Sequence, residues 1–166
     1  MVRFRRSSPS ALTIRPFELA DAAATYAVFY AAVHQSTSAH YSEAQREAWV
    51  ASPEPSDAWR DRLADHITYV ALRDEQTLGF ASLNHSGYFD LLYTAPTAQR
   101  EGVATLLYVA TLNDPRATTP LLETEASYLS RPFFAHHGWQ DHGPQTIMRR
   151  GVSLTNFKMS RAHPYL

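Results

Sequence analysis

Leu91-Leu92-Tyr93-Thr94-Ala95-Pro96, followed after Thr97-Ala98 by Gln99-Arg100-Glu101-Gly102-Val103-Ala104, is the stretch that decides how this chain folds. Tyr88 to Thr94 reads as a strand that Pro96 ends. After the turn, Val103, Leu106, Leu107 and Ala110 recur at i, i+3, i+4 and i+7, the spacing of one apolar helix face. Strand, glycine turn and helix therefore form one unit. A helix N-terminus presents backbone N–H groups without partners and the positive end of the helix dipole, and both favour an anion. Gly102 removes a side chain where a phosphate would approach the backbone, Ala104 keeps the next turn slim, and Arg100 adds a positive charge. The six residues from Gln99 to Ala104 read equally well, by themselves, as a tight strand-to-helix turn.

Outward from this unit the chain alternates helices and strands. Upstream, Ile67 to Leu72 is β-branched and aromatic enough for a central strand, Asp74-Glu75-Gln76 turns, Thr77 to Leu83 returns, and His85-Ser86-Gly87 turns again. Earlier still, Leu12 to Pro16 alternates like a short edge strand. Leu19, Ala22, Tyr26, Phe29, Tyr30 and Val33 form a helical stripe, and His34 to His40 reads as a polar loop. Ser42 is placed to cap a second helix running to about Val50, Ser52 to Pro55 breaks the chain, and a third helix is expected over Asp57 to Asp65. Downstream, Asn113-Asp114-Pro115 stops the helix that follows the glycine turn. Leu121 to Ala126 reads as a strand which, entered by a helical crossover, is expected to lie parallel to its neighbour. Ser130-Arg131-Pro132 opens a last helix that ends at Gly138. In the tail, Val152 and Leu154 fall on one parity and Phe157 and Met159 on the other, so one strand with a bulge near Thr155-Asn156 is predicted from Ile147 to Met159. The expected architecture is α/β with a mixed sheet, one domain over residues 11–166 behind a flexible lead-in at residues 1–10.

The bulk numbers exclude several classes. With 166 residues, 45% of them hydrophobic, the chain is long enough to bury a core without covalent staples. It has no cysteine, which removes disulfides, thiolate catalysis and Cys-ligated zinc. A formal net charge of -1 and the absence of a long basic run give no expectation of nucleic acid or an anionic membrane as partner. The longest apolar stretch, Ala22 to Val33, is too short to span a bilayer, and no secretory signal is visible, so a cytoplasmic location is expected. A homodimer stays open. Eight histidines invite a metal reading, yet no His-Glu-x-x-His spacing occurs and the adjacent His136 and His137 point apart on a helix, so no metal site is expected.

Residues 91 to 96 directly before 99 to 104, with Leu106 and Leu107 after them, resemble motif A of the GNAT superfamily of N-acetyltransferases. Glu125-Ala126-Ser127, Pro132-Phe133-Phe134 and His137-Gly138-Trp139 are similar to that superfamily's later strand, helix and Gly-aromatic turn. Ile14-Arg15-Pro16, the run from Val33-His34 to Tyr41-Ser42, Ala48-Trp49, Arg150-Gly151-Val152 and Asn156-Phe157 with Met159 resemble its YafP-like bacterial branch, over nearly the whole chain. The resemblance implies a mostly antiparallel mixed sheet, splayed at its centre beside residues 88 to 94, with helices on both faces. It implies acetyl-coenzyme A (acetyl-CoA) as co-substrate and an amine as acceptor. Leu92, Tyr93 and Thr94 would pair with the pantetheine arm, Gln99, Arg100, Glu101, Gly102, Val103 and Ala104 would surround the pyrophosphate, and Ser127 would touch the arm or sulfur. Phe134 stands against the cofactor where many members carry a tyrosine that protonates the leaving thiolate.

Attack of an amine on a thioester needs a neutral nucleophile and hence a base or a water relay. Asp90 is the first candidate, because it shares strand parity with Tyr88, Leu92 and Thr94 and is expected to point to their side. His34 and Tyr41 are further candidates, against the commoner roles of buried histidine and packing tyrosine. Glu123 and Glu125 flank the other central strand, and parity does not separate them. With Phe134 unable to give a proton, Tyr128, Ser127 or water remain as acids. Phe29, Tyr30, Trp49 and Trp59 read either as an aromatic acceptor pocket or as core. A non-catalytic module that binds acetyl-CoA or a protein partner is the alternative that Phe134 keeps open.

Overall fold

The computed structural model describes residues 11–166; the lead-in expected at residues 1–10 lies outside them. Among the described residues, seven strands form two sheets. In the first, β1 (Thr13–Pro16), β2 (Ile67–Arg73), β3 (Gln76–Leu83) and β4 (Phe89–Thr94) lie in that order, each antiparallel to the next. In the second, β5 (Leu121–Ala126) and β6 (Gln140–Arg149) flank β7 (Val152–Ala162), again antiparallel. The sheets meet at a parallel bridge between Tyr88 and Glu123 and then part. Gly87 makes that junction: its φ is +88°, and a Cβ there would stand 2.6 Å from the Leu121 carbonyl oxygen. Beyond it, β4 and β5 diverge and a cleft opens between them.

Helices cover both faces. On one, α1 (Ala22–Ala31) and α3 (Asp57–Asp65) bury Val28, Trp59 and Leu63 against Val70, Phe80 and Leu91. On the other, α4 (Val103–Leu112) and α5 (Arg131–His136) enclose Ile67, Ala81, Phe89, Leu122, Phe157 and Met159. The buried stripe of α4 is Val103, Leu107, Tyr108, Thr111 and Leu112, while Leu106 faces solvent, one step round from the expected stripe. Trp139 donates its indole N–H to the Tyr108 hydroxyl at 3.0 Å inside this layer, so neither polar atom is stranded. A third, smaller cluster joins Tyr41 and Ala48 of α2 (Glu43–Trp49) to Leu154.

Several expectations are corrected. Leu121 to Ala126 runs parallel to the strand before the crossover, as expected, but only at the bridge with Tyr88; its ladder is with β7, antiparallel, which the chain reaches after α5 and β6. The tail is a hairpin turning at Arg150-Gly151, and Gln140–Arg149 is a strand of its own. The irregularity lies on β6 between Asp141 and Pro144, not at Thr155-Asn156. Parity switches in β7 because Leu154 packs under α2 while Phe157 and Met159 pack in the α4 layer. Finally, the loop expected from His34 to His40 begins only at Thr37, because Ala32–Ser36 continues α1 as a π-helix, and Leu19 is exposed ahead of α1.

Asp114, just after α4, ties the helix end to β2. Its carboxylate accepts from Arg116 at 2.9 Å and from the Tyr69 hydroxyl at 3.0 Å. The Arg116 guanidinium holds it down to about 2. A carboxylate depressed in the folded state stabilises above its unfolded value and loses that contribution as pH falls through the folded one. Asp114→Asn is therefore expected to cost about 2 kcal/mol at neutral pH, shrinking toward pH 2. Urea unfolding of both proteins between pH 7 and pH 2 checks this.

Candidate active site

The glycine turn forms as its residues dictate. Arg100 has φ +63° and Gly102 φ +81°, two left-handed residues that reverse the chain between the 3-10 turn Pro96–Ala98 and α4. Gly102 is the N-cap of α4 and supplies no side-chain acceptor. The first N–H groups of α4 thus have no partner within the helix. A Cβ at Gly102 would find no atom within 4 Å, so the turn is open where an anion would sit. Glu101 departs from the expected set: its carboxylate turns outward to Arg73 at 2.8 Å.

A cavity of about 360 Å³ runs from this turn into the cleft between β4 and β5. Leu92, Tyr93, Thr94, Gln99, Arg100, Gly102, Val103, Ala104, Ser127 and Phe134, all singled out by sequence, line it together with Asp90. Ser127 and Ser130 face it with their hydroxyls 3.1 Å apart. Phe134 is wedged between Phe89 and Trp139, with ring centroids at 5.8 and 4.9 Å, and offers no proton. The β4 edge that faces β5 has no ladder partner beyond Phe89, whose carbonyl accepts from Thr124 Oγ1 at 2.8 Å.

A second cavity of about 200 Å³ opens on the α1 and α3 side. It is walled by Phe29, Trp49 and Trp59 and carries Tyr88, Arg62, Asp90, Glu125, Arg149 and Asn156. Tyr30 is not in this wall; its ring packs at a tilt on His34, with centroids 4.3 Å apart. Trp49, Asp90, Tyr93, Glu125 and Ser127 line both cavities, so the two meet there.

Asp90 keeps the side of Tyr88, as expected, but its carboxylate turns toward α3 and away from Leu92 and Thr94. The β3–β4 register skips it, Ser82 pairing with Leu91 and Leu83 with Phe89, so Asp90 is the extra residue of a bulge. The bulge sets it beside Leu91 and Tyr93 at the meeting of the two cavities. There Arg62 grips both oxygens, at 2.7 Å from Nε and 2.5 Å from Nη2, and His66 Nδ1 stands 3.5 Å away. Burial pushes the His66 imidazole down against the pull of Asp90. Glu125 accepts from Asn156 Nδ2 at 3.0 Å through one oxygen; its other oxygen has no partner among the described residues. Glu123, of the same parity, lies at neither cavity.

The remaining candidates are held elsewhere. His34 Nε2 is 2.7 Å from the Val50 carbonyl oxygen and lines neither cavity. Tyr41 lines the second cavity, but its hydroxyl donates to the Thr155 carbonyl at 2.8 Å and accepts the Tyr128 N–H at 3.2 Å. Burial pushes its phenol up, and its proton is engaged by the Thr155 carbonyl. Burial, with Glu125 and Asp90 nearby, pushes Tyr88 up to about 12. The Tyr128 ring packs on His40 and Phe157 outside both cavities. Sequence reading missed Arg62, His66, Tyr88 and Arg149. A polar Asn156 among apolar tail residues was the available signal for that position. Among the described residues no group of His, Cys, Asp and Glu is placed to hold a metal, and no helix is long and apolar enough to cross a membrane.

A sheet opened between two antiparallel halves, with an uncapped helix N-terminus at the mouth of the opening, is the arrangement that the resemblance to motif A implies. The sequence profile of the acetyltransferase (GNAT) domain matches residues 37–161, and the chain belongs to the GNAT family of acetyltransferases. It is 33% identical over 149 residues to the uncharacterized N-acetyltransferase YafP of Escherichia coli (strain K12), covering 89% of this chain and 94% of YafP. The crystal structure of a GCN5-related N-acetyltransferase from Rhodopseudomonas palustris superposes with a TM-score of 0.84 at 30% identity, over 95% of this chain and 99% of that one. YncA of Salmonella typhimurium, solved with its cofactor acetyl-CoA, shares the fold at a TM-score of 0.67 and 18% identity, over 95% and 96% of the chains.

Proposed function

We propose that this protein transfers the acetyl group of acetyl-CoA directly to a primary amine while both are bound. The observation that carries this is the meeting of two cavities, opening on opposite faces of the sheet, at Asp90, Glu125 and Ser127. A donor entering beside α4 and an amine entering beside α1 and α3 reach each other there without a protein nucleophile, and the chain has no cysteine to serve as one. Residues Gln99, Arg100, Gly102, Val103 and Ala104 receive the pyrophosphate, through backbone N–H groups and the Arg100 charge. The exposed edge at Leu92, Tyr93 and Thr94 pairs with the amide-rich arm. The thioester supplies an activated acyl carbon; as its bond to nitrogen forms, the carbon–sulfur bond breaks and free coenzyme A leaves.

Glu125 is the carboxylate proposed to take the proton from the ammonium, because it lines both cavities with one oxygen held by Asn156 and the other without a partner among the described residues. Asp90, gripped by Arg62, orients the junction. Ser127 and Ser130 supply the hydroxyls nearest to where a leaving thiolate would emerge, in place of the phenol that Phe134 lacks. Titration calorimetry with acetyl-CoA is expected to show saturable binding, and no heat at millimolar ligand would overturn the donor assignment. An amine panel followed by free-thiol release, with the N-acetyl product identified by mass spectrometry, tests the transfer.

A further inference from the structure

Resting on that reading, we infer that the acceptor is a small zwitterion, a primary amine that also carries a carboxylate, as in a free amino acid with an apolar side chain. The second cavity contains two carboxylates and two guanidinium groups. Arg62 and Asp90 neutralise each other across a two-point contact, leaving Glu125 and Arg149 as the uncompensated charges. Arg149 makes no salt bridge among the described residues. One negative and one positive group at separate points of an otherwise neutral pocket complement a molecule with the opposite dipole.

The amine end is marked independently. Asn156 is 8% exposed and its Nδ2 is used on Glu125, while its Oδ1 is buried without any partner. A buried acceptor left unpaired is costly, and an ammonium N–H donated to it removes that cost. Glu125 and Asn156 Oδ1 together thus present two acceptors to one ammonium. Arg149 stands at the far end of β6: Gln145 pairs with Asn156, and Arg149 lies four residues further along. Its long side chain turns back into the cavity that Glu125 lines, where both act on the Tyr88 phenol, so the ammonium and carboxylate of one carbon meet them together, and Phe29, Trp49, Trp59 and Ile147 wall the space for the apolar side chain. A polyamine does not fit, because the second carboxylate it would need, Asp90, is already taken by Arg62.

The experiment compares phenylalanine, phenylalaninamide and spermidine as acceptors for the full-length protein and its Arg149→Ala and Asn156→Ala variants, under saturating acetyl-CoA. Phenylalanine is expected to exceed the amide in kcat/KM by about five-fold or more. Arg149→Ala removes that preference by raising KM for phenylalanine alone, and Asn156→Ala weakens both acceptors. Equal use of acid and amide, preference for spermidine, or equal losses for both in Arg149→Ala overturns the zwitterion and leaves N-acetylation standing. No product from any amine, with acetyl-CoA bound, overturns both.

Discussion

Glu125→Gln is expected to lower kcat by about a hundred-fold or more while leaving the acetyl-CoA affinity unchanged. A positioned base contributes on the order of 10²–10⁴ in rate, and glutamine keeps the shape and the Asn156 contact while losing the basic oxygen. Asp90→Asn separates the roles: its effect falls mainly on KM for the amine, because it releases Arg62 into the second cavity. Steady-state kinetics by thiol release decide between them, and unchanged turnover in Glu125→Gln would pass proton removal to water.

Gly102→Asp is expected to weaken acetyl-CoA binding by about a hundred-fold, roughly 2.7 kcal/mol. Aspartate tolerates the left-handed conformation better than most residues, and its carboxylate can cap the N–H groups at the start of α4. The fold therefore survives, with little change in thermal midpoint. The same carboxylate then occupies the anion site and repels the diphosphate. Gly102→Ala, which adds only a Cβ into open space at a strained φ, is expected to weaken binding far less. Calorimetry beside thermal unfolding checks both; undiminished affinity in Gly102→Asp would move the pyrophosphate off this turn.

Much of the donor half was legible in sequence because its determinants are local. A strand ended by proline, a glycine turn and a periodic helix fall within 25 residues, and local backbone chemistry places their groups. Glu101 escaped that logic, since an exposed side chain follows the partner it finds, here Arg73. The acceptor half was less legible. Arg62, Tyr88, Arg149 and Asn156 come from α3, the loop before β4, β6 and β7, and no spacing along the chain joins them.

Sequence by itself determined the family, the glycine turn and the helices on both faces of an opened sheet. Period and turn chemistry act over a few residues, and a sequence exposes them directly. The tertiary structure alone decided the direction of Asp90, because a one-residue bulge is a matter of register with β3. It also decided which carboxylate has an unpartnered oxygen. Arg62 reaches Asp90 across 28 positions and Asn156 reaches Glu125 across 31, so the charge left to meet a substrate was set by long-range pairing. The turn at residues 99–104 marks where the donor is held; the partners of two carboxylates mark where the amine is met.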